Sequence, residues 1–196
     1  MELFHNCIQG EDILFVIFDP DAIPDRSEKK GGVCALYKGD ELVGYNFFSF
    51  HDLVKTKERG LLVTPNDILI DVLNSRLEYL GLPLLPYVRD SYFKAAKVVG
   101  IKEHPNKDKL KVVTLDLGGK TAIPVTKYSN FSIGDTLVAL IDKGFRFDGT
   151  VFHKGEEKGI AFDVELCSAS DLRLGDESNS AFIIDGYEPG DDFFLK

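Results

Sequence analysis

Two prolines within four residues interrupt the chain after its clearest helical pattern, and this break decides how the rest can fold. Residues 81–86 read Gly-Leu-Pro-Leu-Leu-Pro. Proline supplies no backbone N–H and pushes the residue before it out of the helical conformation. Neither a helix nor a central strand can therefore continue through this segment. We place a domain boundary between Gly81 and Ser91, which predicts two domains at residues 1–88 and 92–196.

The first of these domains has the pattern of a small α+β domain. Thr64 is a suitable N-cap and Pro65 suits the first helical position, which predicts a helix over residues 64–80. Its apolar residues recur at helical spacing: Ile68, Leu69, Val72, Leu73, Leu77 and Leu80. Strands are predicted at residues 12–18, 32–37 and 41–50, the last two joined by a tight turn at Lys38-Gly39-Asp40.

The second half shows short strand patterns separated by turn residues, and no strong helix. The predicted strands are residues 93–101, 111–117, 120–125, 136–141, 159–167 and 181–184. Five or six short strands in about 100 residues favour a small closed barrel over alternating strands and helices.

Charge is unevenly distributed along the chain. The net charge is −9, which by itself argues against a nucleic-acid partner. The balance is −6 over residues 1–91, +4 over residues 92–160 and −7 over residues 161–196. The basic middle segment is therefore compatible with an anionic partner.

Several classes of protein are disfavoured. The longest apolar run is residues 13–18, whereas a membrane-spanning helix needs about 20 residues. The N-terminus has no basic segment before an apolar stretch, so it does not resemble a secretory signal. The three cysteines, at positions 7, 34 and 167, form neither a CxxC motif nor a disulfide framework, which favours reduced thiols and a cytoplasmic location.

Motifs for catalysis or cofactors are weak. The four histidines lack metal-binding spacing, and no GxSxG nucleophile elbow occurs. Gly118-Gly119-Lys120-Thr121 lacks the first glycine of a phosphate-binding loop and is better interpreted as a hairpin turn. Cys167 is better interpreted as a buried small residue than as a catalytic thiol. We therefore expect a non-enzyme with no metal and no cofactor.

Basic residues concentrate in the stretch from Lys97 to Lys111. A predicted strand leads into a loop containing Pro105, and a second strand begins near Leu110. Lysines here could contact phosphate, Asn106 offers a directional donor and acceptor, and His104 could stack on a base or bond to phosphate. A solvated hairpin tip would also be rich in lysine, so composition alone leaves both interpretations open.

The order of residues in this loop resembles a known signature. Val99-Gly100, His104-Pro105-Asn106 and Asp108-Lys109-Leu110 are similar to the tRNA-binding domain of methionyl-tRNA synthetases and of the phenylalanyl-tRNA synthetase β chain. The whole chain resembles the stand-alone bacterial YtpR-like proteins, with support from residues 43–48 and from the closing residues 183–191. The resemblance implies an oligonucleotide-binding (OB) barrel. The expected fold class is therefore an α+β N-terminal domain followed by an all-β OB-fold barrel.

Two departures from the family pattern are notable. Residues 126–131 keep only Asn130 from the usual Cys-Gly-Ala-Pro-Asn-Val turn. In the turn where a serine and a glycine are common, this chain has Asp163 and Glu165, and a carboxylate facing phosphate would oppose binding.

A second group of aromatic and basic residues partly offsets these acids. Residues 143–147 and 151–154 interleave phenylalanines with cations. Strand alternation would place Phe145 and Phe147 on one face, which favours a core role for the phenylalanines and leaves Arg146 and Lys154 as phosphate candidates.

The sequence thus predicts a non-catalytic RNA-binding protein whose ligand is tRNA or another structured RNA. The expected RNA-binding residues are Lys102, His104, Asn106, Lys107, Lys109, Lys111, Lys127, Asn130, Arg146, Lys154 and Lys158. The alternative is a protein-interaction or dimerisation module that has lost RNA binding. In that case a homodimer would form, or the acidic N-terminal domain would bind a protein partner.

Overall fold

The chain divides into two compact units, Met1–Arg89 and Asp90–Lys196. The computed structural model describes residues 1–8, 10–56, 58–63 and 67–196. Within these ranges, every helix is too short or too polar to cross a membrane.

The first unit is built on a six-stranded antiparallel sheet with the order β3-β4-β5-β2-β1-β6. Its elements are β1 (Glu2–Ile8), β2 (Glu11–Ile17), β3 (Arg26–Lys30), β4 (Val33–Lys38), β5 (Glu41–Phe48), α1 (Phe50–Leu53), β6 (Gly60–Leu61) and α2 (Asp67–Leu80).

The predicted hairpin of this sheet is confirmed. Strands β4 and β5 pair from Val33 opposite Phe47 to Lys38 opposite Glu41. The turn between them uses Gly39 at φ 60°, a backbone conformation that glycine adopts without steric cost.

Helix α2 covers one face of this sheet. Leu73 and Leu77, four residues apart on one side of the helix, are fully buried in a cluster with Leu14, Tyr45 and Phe47 of the strands. The predicted helix is therefore confirmed over Asp67–Leu80, while its predicted N-cap Thr64 and Pro65 lie outside the described residues.

The second unit contains a seven-stranded antiparallel sheet and a separate two-stranded hairpin. The main path has the order β10-β8-β7-β11-β14, with β9 paired to β8 and β15 paired to β11; β12 pairs with β13. The elements are β7 (Phe93–Glu103), β8 (Lys111–Asp116), β9 (Thr121–Ala122), β10 (Val125–Thr126), β11 (Thr136–Ile141), β12 (Gly155–Glu157), β13 (Ile160–Phe162), β14 (Val164–Leu166) and β15 (Ile183–Ile184).

The expected fold class, an α+β N-terminal domain followed by an OB-fold barrel, is wrong. The described chain is nearly all β, because α1 and α2 have only 4 and 14 residues and both units are built on antiparallel sheets. In the second unit, strand pairing among the described residues does not join β10 to β14, so the pairs do not close into a barrel.

The first unit contains two strands, β1 and β3, that the sequence does not predict because they lack an alternating apolar pattern. All five residues of β3 are exposed, and β1 has the polar residues His5 and Asn6 at its centre. Alternation is the main sequence signal for a strand. Without these strands the sequence predicts a domain in which the helix forms a larger share than it does in the structure.

Candidate nucleic-acid interface

The loop between β7 and β8 is held in shape by His104. The backbone N–H of His104 donates to the carbonyl of Leu110 at 2.9 Å, which closes the loop. The His104 side chain is buried, and its Nδ1 accepts from the backbone N–H of Asn106 at 3.1 Å. Because a backbone N–H can only donate, Nδ1 is the accepting nitrogen and Nε2 is the nitrogen that donates.

The hairpin β12–β13 docks on this loop. Its two turn residues, Lys158 and Gly159, have φ values of 49° and 90°, as a tight two-residue hairpin turn requires. His104 Nε2 donates to the carbonyl of Glu157 at 3.0 Å, and Asn106 Nδ2 donates to the carbonyl of Lys158 at 3.1 Å. We call residues 104–110 together with 155–162 the loop–hairpin platform.

One lysine of the platform is neutralised by a carboxylate. Lys107 Nζ lies 2.5 Å from Glu157 Oε1. This hydrogen bond and the charge of Lys107 hold the pKa of Glu157 below its usual range, so the pair carries no net charge at neutral pH.

The other lysines near the platform are less constrained. Lys109 and Lys158 are exposed at its two tips, both with positive φ, and Lys102 is exposed near the end of β7. Lys111 begins β8, where it pairs with both Glu103 and Thr126. That pairing brings Lys111 close to the exposed Lys127, which follows Thr126 and lies 5.9 Å from the Tyr128 ring.

Asn130 is placed away from these contacts. Its Nδ2 donates to the carbonyl of Ala181 at 2.9 Å, and its Oδ1 accepts from the Ala181 N–H at 2.8 Å. Both ends of the amide are thus used to fasten the segment before β15 to the loop before β11.

A groove of about 340 Å³ borders the platform. Its apolar surface includes Leu110, Phe152, Phe162 and Val164, with the two phenylalanine ring centres 6.1 Å apart. The lining also contains two ion pairs, Lys107 with Glu157 and Arg146 with Glu165.

Arg146 is fixed in the groove by Glu165. Arg146 Nε donates to Glu165 Oε2 at 2.8 Å, and the guanidinium lies 5.8 Å from the Phe152 ring centre. Partial burial alone would lower the pKa of Arg146, but the hydrogen bond and charge of Glu165 outweigh it and raise that pKa.

Lys154 remains largely exposed. Its side chain is 70% exposed, with Nζ 3.6 Å from Asp142 Oδ2. Its backbone N–H donates to Asp142 Oδ1 at 2.9 Å, so Asp142 positions the segment and partly offsets the lysine charge.

The two acids expected to oppose phosphate have different partners. Asp163 Oδ1 accepts from the N–H of Ile123 at 2.6 Å, so this carboxylate anchors a backbone segment. Glu165 lines the groove beside Arg146. The groove residues Phe162 and Glu157 were not predicted as site residues; the Lys158-Gly159 turn beside them was the available signal.

The other residue types considered for chemistry are the cysteines and the potential metal ligands. Cys167 is buried, as predicted, and burial raises the pKa of its thiol well above the usual range. Among the residues that the structure describes, no group of three or more His, Cys, Asp or Glu side chains could hold a metal ion.

Comparison with known proteins gives relatives but no matching family model. The chain is 27% identical over 194 residues to YtpR of Bacillus subtilis, whose name assigns it tRNA binding only provisionally; the match covers 94% of each chain. It is 29% identical over 140 residues to the phenylalanine–tRNA ligase beta subunit of Leptospira interrogans. The beta subunit of Sulfurimonas denitrificans is 33% identical over 90 residues.

The coverage of these relatives differs greatly. The match spans 70% of this chain but 16% of the Leptospira beta subunit, and 45% of this chain but 11% of the Sulfurimonas subunit. Only the match to YtpR extends over nearly the whole of both proteins among these three. The resemblance to the stand-alone YtpR-like proteins, expected from the His104–Leu110 motif together with residues 43–48 and 183–191, is therefore confirmed.

Proposed function

We propose that this chain is a non-catalytic tRNA-binding protein, and that it binds tRNA or tRNA-like structured RNA with the loop–hairpin platform of its second unit. The observation that carries the proposal is the docking of the His104 loop on the β12–β13 hairpin. That docking fixes Lys109 and Lys158 at two neighbouring exposed tips. The full-length similarity to a protein named for tRNA binding supports the same ligand.

The charged residues divide into two groups in this proposal. The first group contacts the phosphate backbone directly and consists of Lys102, Lys109, Lys111, Lys127 and Lys158. Lys107, Arg146 and Lys154 do so in competition with Glu157, Glu165 and Asp142, which lie within 4.0 Å of them.

The remaining predicted site residues act indirectly. The side chains of His104 and Asn106 bond to backbone carbonyls of the hairpin, so they position the platform. Asn130 bonds to the backbone of Ala181, so it stabilises a neighbouring part of the second unit. Recognition is chiefly of RNA shape, since phosphate contacts carry no sequence information.

The experiment is a fluorescence-anisotropy titration of labelled bulk tRNA with the full chain at two salt concentrations. Contact with three to five phosphates gives a slope of log affinity against log salt of about −2 to −4.5. The test variant is the double substitution Lys109→Glu/Lys158→Glu.

A matched control separates the platform from net charge. Lys38→Glu/Lys55→Glu makes the same charge change at exposed residues of the first unit. We expect the platform variant to lose binding at least tenfold and the control to stay within about threefold. Equal losses in both, or no binding of the folded wild type at low salt, would contradict the proposal.

A further inference from the structure

The groove beside the platform has the dimensions and chemistry of a site for one small ligand. Its volume of about 340 Å³ lies at the lower end of the range of small-molecule pockets, about 300–1,000 Å³. A double helix cannot enter such a space, whereas a single unpaired nucleotide can.

The apolar surface of the groove suits a planar ring. Phe152 and Phe162 lie side by side with their rings tilted by 38°. Phe152 is buried, and Phe162 is partly exposed beside it. Unstacked bases of folded RNA are commonly held on aromatic side chains in this way.

The polar groups of the groove can discriminate between the four RNA bases by hydrogen bonding. Arg146 bonds one oxygen of Glu165, whose side chain is 41% exposed, and a carboxylate has two oxygens and about four acceptor sites. The pair thus offers a carboxylate of fixed orientation that can accept further hydrogen bonds. Guanine presents its N1–H and its amino group side by side, so it can donate two hydrogen bonds to one carboxylate. Adenine and cytosine each present one amino group beside a ring-nitrogen acceptor, and uracil presents one N–H between two carbonyl oxygens that a carboxylate repels.

We propose, resting on the function proposed above, that the groove binds one unpaired guanine nucleotide of the RNA. Its base lies against Phe162, its N1–H and amino group donate to Glu165, and its phosphate meets Lys107 in competition with Glu157. Arg146 is a positioning residue that orients Glu165. No covalent step is involved.

The test uses the four nucleoside 5′-monophosphates as probes and the full chain labelled with ¹⁵N. Two-dimensional NMR titration reports both the affinity and the residues whose signals move. We expect GMP to shift groove residues and to bind about fivefold or more tightly than UMP, the lower end of the discrimination given by a two-bond contact to a base. Shifts elsewhere, or equal affinity for GMP and UMP, would overturn the inference.

Two conservative variants test whether the Glu165 carboxylate causes the preference for GMP over UMP. Glu165→Gln replaces one acceptor oxygen by a donor, so the ratio of GMP to UMP affinity falls below about twofold. Glu156→Gln, one residue before Glu157 and on the opposite face of the hairpin, keeps the ratio. A ratio unchanged in Glu165→Gln would show that Glu165 does not contact the base and would overturn the inference.

A competitor distinguishes a nucleotide from an apolar protein side chain. The probe is N-acetyl-leucinamide, which imitates a leucine residue of a protein. If it shifts the signals of the groove residues and GMP does not, the groove binds a protein side chain and the inference is overturned. The tRNA titration is an independent test of the proposed function. If tRNA binding is lost in Lys109→Glu/Lys158→Glu while GMP and UMP bind equally well, the proposed function is supported and the guanine site is ruled out.

Discussion

The imidazole Nε2 of His104 lies 3.0 Å from the carbonyl oxygen of Glu157, 53 residues further along the chain. The other ring nitrogen accepts from the N–H of Asn106. One buried side chain therefore shapes its own loop and fastens the β12–β13 hairpin to it. The platform depends on this residue even though its ring does not face outward.

Replacing His104 should loosen the platform. In His104→Ala, the Glu157 carbonyl and the Asn106 N–H lose their partners, and we expect a loss of about 1–3 kcal/mol in the free energy of unfolding. Urea denaturation measures it. His104→Asn can retain an acceptor near the Asn106 N–H and should lose less. A change below about 0.5 kcal/mol, the size seen for ordinary surface substitutions, would show that the ring does not fasten the hairpin.

Asn130 should matter for stability and not for RNA affinity. Asn130→Ala leaves both backbone groups of Ala181 unpaired, which predicts a loss of about 1–3 kcal/mol in the free energy of unfolding. Asn130→Asp keeps the acceptor for the Ala181 N–H and should be intermediate. We expect the folded variants to bind tRNA within about twofold of wild type by anisotropy. A tenfold loss of affinity at unchanged stability would instead assign Asn130 a direct contact.

Asp192 should make the second unit sensitive to acid. Its carboxylate accepts from the N–H and hydroxyl of Ser91, from Lys94 and from the N–H groups of Phe194 and Leu195. Burial alone would raise the pKa of Asp192, but the Ser91 hydrogen bonds and Lys94 outweigh it and lower that pKa.

Because the pKa of Asp192 is lower in the folded state than its ordinary value of 3.8, its contribution to stability is fully present above that value. The contribution is lost as pH falls through the folded-state pKa. Asp192→Asn should therefore cost about 1–3 kcal/mol near pH 7 and progressively less below about pH 4. Urea denaturation of both proteins across this pH range tests it, and a difference that grows as pH falls would contradict the assignment.

The strands that the sequence predicted correctly are those with a clear burial pattern. Strand β11 has the predicted bounds, Thr136–Ile141, and most of its residues are buried. The predicted strand at 159–167 is instead divided into β13 and β14, because Asp163 turns its carboxylate and N–H toward Ile123. A hydrogen bond to a residue 40 positions away leaves no periodic signal in the sequence.

The same limit applies to the site. The sequence indicated a basic loop at 104–111, and the structure accounts for its shape by bonds to Glu157 and Lys158. The pairing of Lys107 with Glu157 joins residues 50 positions apart. Counting lysines could therefore not reveal that one of them is neutralised by a carboxylate.

That neutralisation yields the last prediction. Glu157 holds Lys107 at 2.5 Å and stays ionised because its pKa is lowered, so any phosphate that approaches Lys107 meets a carboxylate beside it. Glu157→Gln removes that charge and frees Lys107, and we expect tRNA affinity at low salt to rise about two- to fivefold, a gain of the order expected from exposed ion pairs.

Glu156→Gln removes the same net charge from the opposite face of the hairpin and should change the affinity by less than twofold. Anisotropy titrations of the three proteins decide the matter. An equal gain in both variants would assign the effect to overall charge, and a loss in Glu157→Gln would mean that the carboxylate itself contacts the RNA or holds the platform together.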